Sequence, residues 1–544
     1  MRPVREPEEW RQVFLLSAFV LGSVVRLSLP LFAGFPINDG GLFYVMVKEL
    51  QGNRYVPPVA TNYNGLHIPF VYPPLSLYLV ALLAKVLPVP LEELFRWLPA
   101  IVSTATVPAF YGMARSLLRS PSRATLATVA YALVPRSYCW LVMGGGLGRA
   151  LGQFFLIGTL WAVVLACREP SWRALLRPIG WGTLVLLAHP EVAFHMVPIC
   201  LGAWLFLGQG GWKVKGPAVF AAGVAVGSSP WWIYSLARYG TAPFLSAVRT
   251  GHYSAAAALF FLAPGFAQEE PVTVWTVAAL LGVFVALIRK EYFLLYWLVV
   301  PFLVEPRNAP TQATLPLALL AGLAFSDVFV PGIRGLELAS HDNPSRQSDT
   351  EWTVLAATSP RVRGMLFYLV FVALLGSAIQ GHSFLGRVTR PERWAMDWVR
   401  SETPQGSRFL VLSGAGEPFL DWVSEWFPAL TDRISLNTLQ GREWLLESRY
   451  MEFRQDLMKL QTCLNSDPSC VEGWASKYGY DFDYLYVVKE QTQGLALATA
   501  GKTPRLLRSL LAHSPHYRLV YDSEAVAIYQ RLTHSPFAPV PGSW

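Results

Sequence analysis

Asp39 lies in the stretch Phe35-Pro36-Ile37-Asn38-Asp39-Gly40-Gly41, just past the first long apolar run and ahead of LFYVMVKEL. An acid at the mouth of an apolar bundle is costly to place and marks function by default. An ionised carboxylate there can take a proton from a hydroxyl. An Asp before Gly-Gly-Leu-Phe-Tyr also reads as a helix N-cap, worth about 1 kcal/mol. The readings are compatible, because a carboxylate at a helix N-terminus stays charged.

Cations that could face an anion recur near it. Arg26 sits late in the first apolar run, placed either to snorkel to the interface or to hold a phosphate or pair with Asp39. Arg149 closes Gly144-Gly145-Gly146-Leu147-Gly148-Arg149. No βαβ pattern surrounds these glycines, which excludes a dinucleotide loop. Gly144, Gly148 and Gly152 have the spacing of small-residue helix packing, and the alternative is a phosphate-receiving helix start with Arg149 as counter-charge. Arg238, Arg249 and Arg307 are further anion-binding candidates. His189 and Glu191, in LLAHPEVAFHMVP, form a polar pair that either holds a helical hairpin or meets substrate. The nine histidines are scattered without His-x-x-x-His or Cys-x-x-Cys spacing, so no metal site is read and no cofactor is expected.

The elements that must position these groups are mostly membrane helices. The chain has 544 residues with 53% hydrophobic and 15% charged, against roughly 25% charged in soluble domains, and a mean hydropathy of +0.35. The expected fold is a mainly α polytopic membrane protein with about 11 membrane segments, including short half-helices. The net charge of +8 is spread in short clusters, so a nucleic-acid partner is not expected. Arg115, Arg119 and Arg123; Arg168, Arg173 and Arg177; Lys213 and Lys215; Arg289 and Lys290; and Arg334, Arg346, Arg361 and Arg363 mark cytoplasmic loops by the positive-inside rule.

Starting from a cytoplasmic N-terminus, Val13 to Phe32 exits as a retained anchor. Residues 33–97 form a large first outer loop in which YPPLSLYLVALLAKVL is an interfacial helix begun by Pro73-Pro74. Leu98 to Leu117 returns, Ala124 to Val142 exits and Leu147 to Cys167 returns. The roughly 30 residues from Pro178 to Leu207 are too few for two crossings, which need about 40. They predict a hairpin of short helices tipped by His189-Pro190-Glu191. Gly216 to Tyr234 exits, Pro271 to Ile288 returns, Tyr292 to Val304 exits, Ala309 to Val330 returns and Met365 to Gly381 exits. Residues 1–386 are thus the membrane domain.

Residues 387–544 are expected to form an extracytoplasmic α/β domain. PERWAMDWVRSE and REWLLESRYMEFRQDLMKLQTCL read as helices, and FLVLS, DYLYVVK, YRLVYD and AVAIYQRL as strands. Cys463 and Cys470 flank NSDPS, and a thiol pair in an outer loop suits a disulfide. Cys139, Cys167 and Cys200 read as packing residues.

An acid in the first outer loop, the YPPL helix after it, the LLAHPEVAFHMVP hairpin and an external C-terminal domain together resemble the GT-C class of membrane glycosyltransferases. That class includes protein mannosyltransferases and aminoarabinose transferases and, more distantly, oligosaccharyltransferase. The chain has Asp39-Gly40 where many mannosyltransferases have Asp-Glu. The segment WVRSETPQG…DWVSEWFPALTDR…NTLQGREW is placed like the acceptor-reading region of oligosaccharyltransferase but lacks WWDYG, which points to single-sugar transfer.

The resemblance implies an inverting hexosyl- or pentosyltransferase of a cell membrane. Its donor would be a polyprenyl-phosphate-linked sugar, its acceptor an external hydroxyl of a glycan, lipid or protein, and membrane lipids would surround it. Asp39 would be the general base. One or more of Arg26, Arg149, Arg238 and Arg307 would neutralise the departing phosphate, while Trp422, Trp426, Phe427 and Trp444 would cap the cavity or contact the acceptor. Two rivals stand beside it: a lipid or solute transporter using His189 and Glu191, and a non-catalytic membrane subunit whose external domain binds a partner.

Overall fold

The computed structural model describes residues 7–249, 274–306, 308–332, 368, 371–379, 382, 385–489 and 506–532. Its first half is a helical bundle: α1 (Pro7–Ala33), α2 (Gly41–Gly52), α3 (Pro74–Val86), α4 (Leu91–Leu118), α5 (Pro121–Leu133), α6 (Leu147–Arg168), α7 (Leu176–Ala188), α8 (Pro190–Leu207) and α9 (Trp212–Tyr239). Then come α10 (Ala242–Arg249), α11 (Val274–Ile288), α12 (Tyr292–Val304) and α13 (Ala309–Ala324). Two-residue strands β1 (Ala60–Thr61) and β2 (Ile68–Pro69) pair antiparallel between α2 and α3.

Four helical stretches among the described residues are long and apolar enough to cross a membrane: Arg11–Ala33, Gly144–Arg168, Pro190–Leu207 and Ala309–Gly332. Helix α13 is apolar from Leu315 on, apart from its polar start at Thr311, Gln312 and Thr314, and each of its 16 residues is buried, as expected of a helix at the centre of a bundle. Glycines let its neighbours close in. A Cβ on Gly322 would meet Ala127 of α5, and one on Gly282 of α11 would meet the backbone of Leu320.

The basic ends of several helices meet at one end of the bundle. Asp327, on the turn after α13, pairs with Arg123 at 3.1 Å and Arg289 at 2.8 Å, and Arg168 donates to the Ser116 carbonyl. Arg334, Arg346, Arg361 and Arg363 lie outside the described residues, whereas residues 371–379 of the segment expected over Met365 to Gly381 are described and helical.

Two expectations shift. The crossing expected over Ala124 to Val142 is helical only to Leu133. Pro135 holds Val134 extended at ψ 117°, because its ring clashes with a helical residue before it. The chain then continues without α-helix and largely buried, through single 3-10 turns at Pro135–Ser137 and Gly144–Gly146. The pair of short helices expected around His189 is instead the 13-residue α7 and the 18-residue α8, the latter long and apolar enough to cross a membrane, and they are broken as expected where His189 is extended at φ −156°, ψ 122°, again before a proline.

The C-terminal region contains α14 (Arg390–Glu402), β3 (Arg408–Leu412), α15 (Trp422–Thr431), β4 (Ile434–Ser435), α16 (Tyr450–Thr462), α17 (Pro468–Lys477), β5 (Tyr484–Val488), α18 (Leu506–Leu511), β6 (Tyr517–Asp522) and β7 (Val526–Arg531). The strands form one mixed sheet in the order β4-β3-β5-β7-β6, with β3 parallel to β4 and β5 and the remaining pairs antiparallel. Helix α14 opens on a full capping box, Thr389 with Glu392. Cys463 and Cys470 are disulfide-bonded, and Cys139, Cys167 and Cys200 are buried outside any disulfide.

This region is packed onto the 34–72 segment, not hung beside it. Phe35 and Tyr44 meet the Trp426 ring at centroid distances of 4.9 and 5.7 Å. The Asn64 side chain donates to the Ser435 carbonyl and accepts from the Ser435 N–H, both at 2.6 Å, occupying the edge strand β4. Tyr63 donates its hydroxyl proton to the Glu425 carbonyl at 2.5 Å.

Candidate active site

The residues from Pro36 to Gly41 run between the two halves of the molecule and are held on both sides. From the bundle, Gly144 N–H donates to the Ile37 carbonyl (2.7 Å) and Gly145 N–H to the Asp39 carbonyl (3.0 Å). From the C-terminal region, Trp426 Nε1 donates to the Asn38 carbonyl at 2.9 Å, and Asn38 Nδ2 donates to the Phe419 carbonyl at 3.1 Å. Two positive φ values, 53° at Asn38 and 137° at Gly40, bend the chain around Asp39. The second favours glycine, and a Cβ on Gly40 would also strike the Trp426 ring.

The bend takes Asp39 out of the capping position. Gly40 is the residue that precedes α2, without a side-chain cap. The carboxylate nearest the α2 start is instead Glu425 of α15, whose Oε1 accepts from Gly40 N–H at 3.4 Å and Leu42 N–H at 3.5 Å. Asp39 turns toward α6: Oδ1 accepts from Gly145 N–H at 3.1 Å, and Oδ2 lies 3.5 Å from Arg149 Nη2. Burial pushes the Asp39 carboxyl upward from its ordinary range, against the downward pull of Arg149 first and Gly145 N–H second. Burial also pushes Glu425 well above its ordinary value, helped by the charge of Asp39.

Asp39 and Arg149 open on a cavity of about 1880 Å³. Its walls come from five places. Asn38, Asp39, Phe43 and Tyr72 belong to the 34–72 segment, while Arg136, Trp140 and Arg149 come from the non-helical stretch after α5 and the start of α6. A cleft between α8 and α9 adds Phe194, Val197, Leu201 and Leu205 opposite Val214, Pro217, Ala221 and Val224. From Val214 to Trp232, both on the wall, a helix rises about 27 Å at 1.5 Å per residue, nearly a hydrocarbon core thickness of about 30 Å. The junction of α12 and α13 adds Glu305, Pro306 and Asn308, and the C-terminal region adds Asp421, Trp422, Glu425, Glu443 and Trp444.

Two cations flank one indole on this wall. Arg136 lies 5.0 Å and Arg149 5.8 Å from the Trp140 ring centroid. Arg136 Nε donates to Thr311 Oγ1 at 2.9 Å, and Arg149 Nη1 to the Trp140 carbonyl at 3.0 Å. The two guanidinium groups thus lie against the same indole on the cavity wall, and paired guanidinium groups suit anion binding.

Of the candidates read from sequence, Asp39, Arg149, His189 and Glu191 share this cavity. His189 sits at the hairpin break beside Tyr72, ring centroids 6.3 Å apart, and the close approach rests on Gly148 and Gly152, where a Cβ would meet the backbone of Ala188 and the His189 side chain. Arg26 is elsewhere. It is fully buried, with Nη1 donating to the Gly22 and Ala132 carbonyls, Nη2 to Ser137 Oγ, and its guanidinium 4.9 Å from the Tyr138 ring centroid. It braces the non-helical 134–138 stretch and is not on the cavity wall. Arg238 is exposed on the last turn of α9 and also off the wall. Arg307 lies outside the described residues. Among the described residues no group of three or more His, Cys, Asp or Glu side chains could hold a metal ion.

The residues not singled out from sequence are Arg136, Tyr72 and Glu425. Arg136 interrupts an apolar run just as Arg26 does, so the rule that flagged Arg26 applies to it equally. Glu425 carries no local signal, because its relation to α2 spans 383 residues.

No family model matches the chain, and no curated protein matches it. Solved structures do. ArnT from Cupriavidus metallidurans, bound to undecaprenyl phosphate, aligns with a TM-score of 0.56 at 14% identity over 96% of this chain and 98% of that one. The archaeal oligosaccharyltransferase AglB from Archaeoglobus fulgidus, in complex with an inhibitory peptide and a dolichol-phosphate, aligns with a TM-score of 0.55 at 13% identity, covering 88% and 69%. The fold of this chain is therefore that of the GT-C membrane glycosyltransferases.

Proposed function

We propose that this protein transfers a sugar from a polyprenyl-phosphate-linked donor to an acceptor hydroxyl at the outer membrane face, with inversion at the anomeric carbon. The observation that carries the reading is the Asp39–Arg149 pair at 3.5 Å, opening on a cavity that continues into an apolar cleft. That shape suits a donor with a charged head and a long tail, and the two similar structures were solved with undecaprenyl phosphate and dolichol-phosphate. An acid buried in an ion pair with no space before it would have favoured a non-catalytic subunit; Asp39 has that space.

In this reading Asp39 accepts the acceptor proton as the acceptor oxygen bonds the anomeric carbon and the bond to the phosphate oxygen breaks. Arg149 and Arg136 neutralise the departing lipid phosphate, and His189 and Glu191 contact the donor head. Residues 1–386 form the membrane domain with a cytoplasmic N-terminus, and residues 387–544 stand outside. Asp39→Asn, purified into nanodiscs, is expected to keep its thermal unfolding profile and lose transfer by about 10²- to 10⁴-fold. Unchanged turnover would remove Asp39 as the base.

A further inference from the structure

Asp39 is gripped through its neighbours. The carbonyl of Asn38, the residue before it, accepts from Trp426 Nε1 at 2.9 Å, and the N–H of Gly40, the residue after it, donates to Glu425 Oε1 at 3.4 Å. Both holds come from consecutive residues of α15. The same Oε1 accepts from Leu42 N–H at 3.5 Å, so one oxygen serves two of the N–H groups near a helix start that have no partner inside the helix. Helix α2 has no cap of its own, because Gly40 precedes it and no local side chain accepts. Helix α15 is capped from within, Asp421 Oδ1 accepting from Ser424 N–H at 3.0 Å.

Glu425 is itself fixed. It is buried, and its carbonyl accepts the Tyr63 hydroxyl proton at 2.5 Å. A Cβ on Gly41 would strike that same carbonyl, so the backbones of α2 and α15 meet there with no side chain between them. Burial first, and the charge of Asp39 next, push the Glu425 carboxyl well above its ordinary range. What the two N–H groups need from it is an oxygen in the right place, which a neutral group also supplies. The Asp39 carboxylate has its own partners in Arg149 and Gly145 N–H, so the service Glu425 renders it is positional.

We propose that Glu425 is a positioning residue for Asp39: by holding Gly40 N–H and Leu42 N–H, its Oε1 fixes the bend that aims the Asp39 carboxylate at Arg149 and the cavity. Its effect on turnover rests on the transferase reading above; its effect on the loop does not.

Three variants of the full chain in nanodiscs separate reach from charge. Glu425→Gln keeps the reach and an oxygen acceptor without the charge, Glu425→Asp keeps the carboxyl but is one methylene short, and Glu425→Ala removes both. Each is measured by hydrogen exchange of the peptide covering residues 36–44 and by transfer kinetics with a short-chain polyprenyl-phosphate sugar. Glu425→Gln should exchange within about twofold of wild type and keep kcat within about threefold. Glu425→Asp and Glu425→Ala should exchange about fivefold faster, the effect of losing one net hydrogen bond. Their kcat should fall about tenfold, less than the roughly 10²-fold of a full 1 Å displacement, with donor KM changed by no more than about threefold. Should Glu425→Ala not fold, the Gln and Asp variants carry the comparison. Wild-type exchange in Glu425→Asp, faster exchange in Glu425→Gln than in Glu425→Asp, or a loss confined to donor KM overturns the positioning role. Faster exchange in Glu425→Asp, with no transfer by any of the proteins including wild type, would keep the hold on the loop and sink the transferase reading.

Discussion

The seam between the Asp39 loop and the start of α6 has no room for a methyl group, which makes Gly144→Ala a direct probe of how tightly Asp39 is placed. A Cβ at Gly144 would lie 2.4 Å from the Asp39 carbonyl oxygen and 3.1 Å from Pro36 Cβ. The atom it meets first is backbone, so no side-chain rotation relieves the clash, and the loop must retreat by roughly 1 Å to reach ordinary contact. Overpacking of this kind costs about 1–3 kcal/mol in stability. The hydrogen bonds in the seam, from Gly144 N–H to the Ile37 carbonyl and from Gly145 N–H to the Asp39 carbonyl and Oδ1, are the ones stretched. For the reaction, a displacement of about 1 Å at a catalytic group can cost on the order of 10²-fold in rate. The assay is kcat and KM with a short-chain polyprenyl-phosphate sugar, alongside thermal unfolding of the same preparation. Gly180→Ala is the control, since nothing lies within 4 Å of a Cβ there and alanine is favoured over glycine in a helix by about 1 kcal/mol. The expected outcome is a kcat roughly 100-fold down with donor KM changed by no more than a few-fold. A folded Gly144→Ala protein with wild-type kcat refutes the claim that this seam sets the position of Asp39.

Further outcomes follow from the same geometry. Arg149→Gln removes the leading influence that opposes burial at Asp39, so the carboxyl rises further; the acid limb of the pH–rate profile moves to higher pH, and turnover at pH 7 falls about 10²-fold, recovering in part as pH rises. An acid limb that does not move would show that Arg149 does not govern Asp39. Asn64→Gly keeps the positive φ of 60° while deleting both bonds to Ser435, and should lower stability by about 2–4 kcal/mol, read as a lower denaturation midpoint. Replacing Cys463 and Cys470 together with serine opens a loop of sequence separation 7 and should cost about 2–3 kcal/mol in non-reducing thermal unfolding, with transfer at 25 °C retained.

Much of the architecture was legible because it rests on local rules. Apolar length marks the helices, and the break at His189 falls before Pro190. The position of the break was readable, and it falls at His189, but the arithmetic that made both helices short holds only for α7, since Pro190–Leu207 is long and apolar enough to cross a membrane. The span expected over Ala124 to Val142 misled because its apolar composition continues past Leu133 while Pro135 stops the helix, so composition and backbone geometry parted there.

The sequence by itself determined which residues could do chemistry: Asp39, Arg149, His189 and Glu191 stood out because ionisable groups in apolar surroundings need a reason to be there. Whether they share a space was decided only by the tertiary structure. It brought those four to one cavity and added Arg136, while Arg26, with the same local signature, was turned inward to brace backbone. It also moved the carboxylate at the α2 start from Asp39 to Glu425, hundreds of residues away. The physical reason is common to all three: burial cost is a property of a residue and is visible in one dimension, whereas partnership is a property of distance and appears only when the chain has folded.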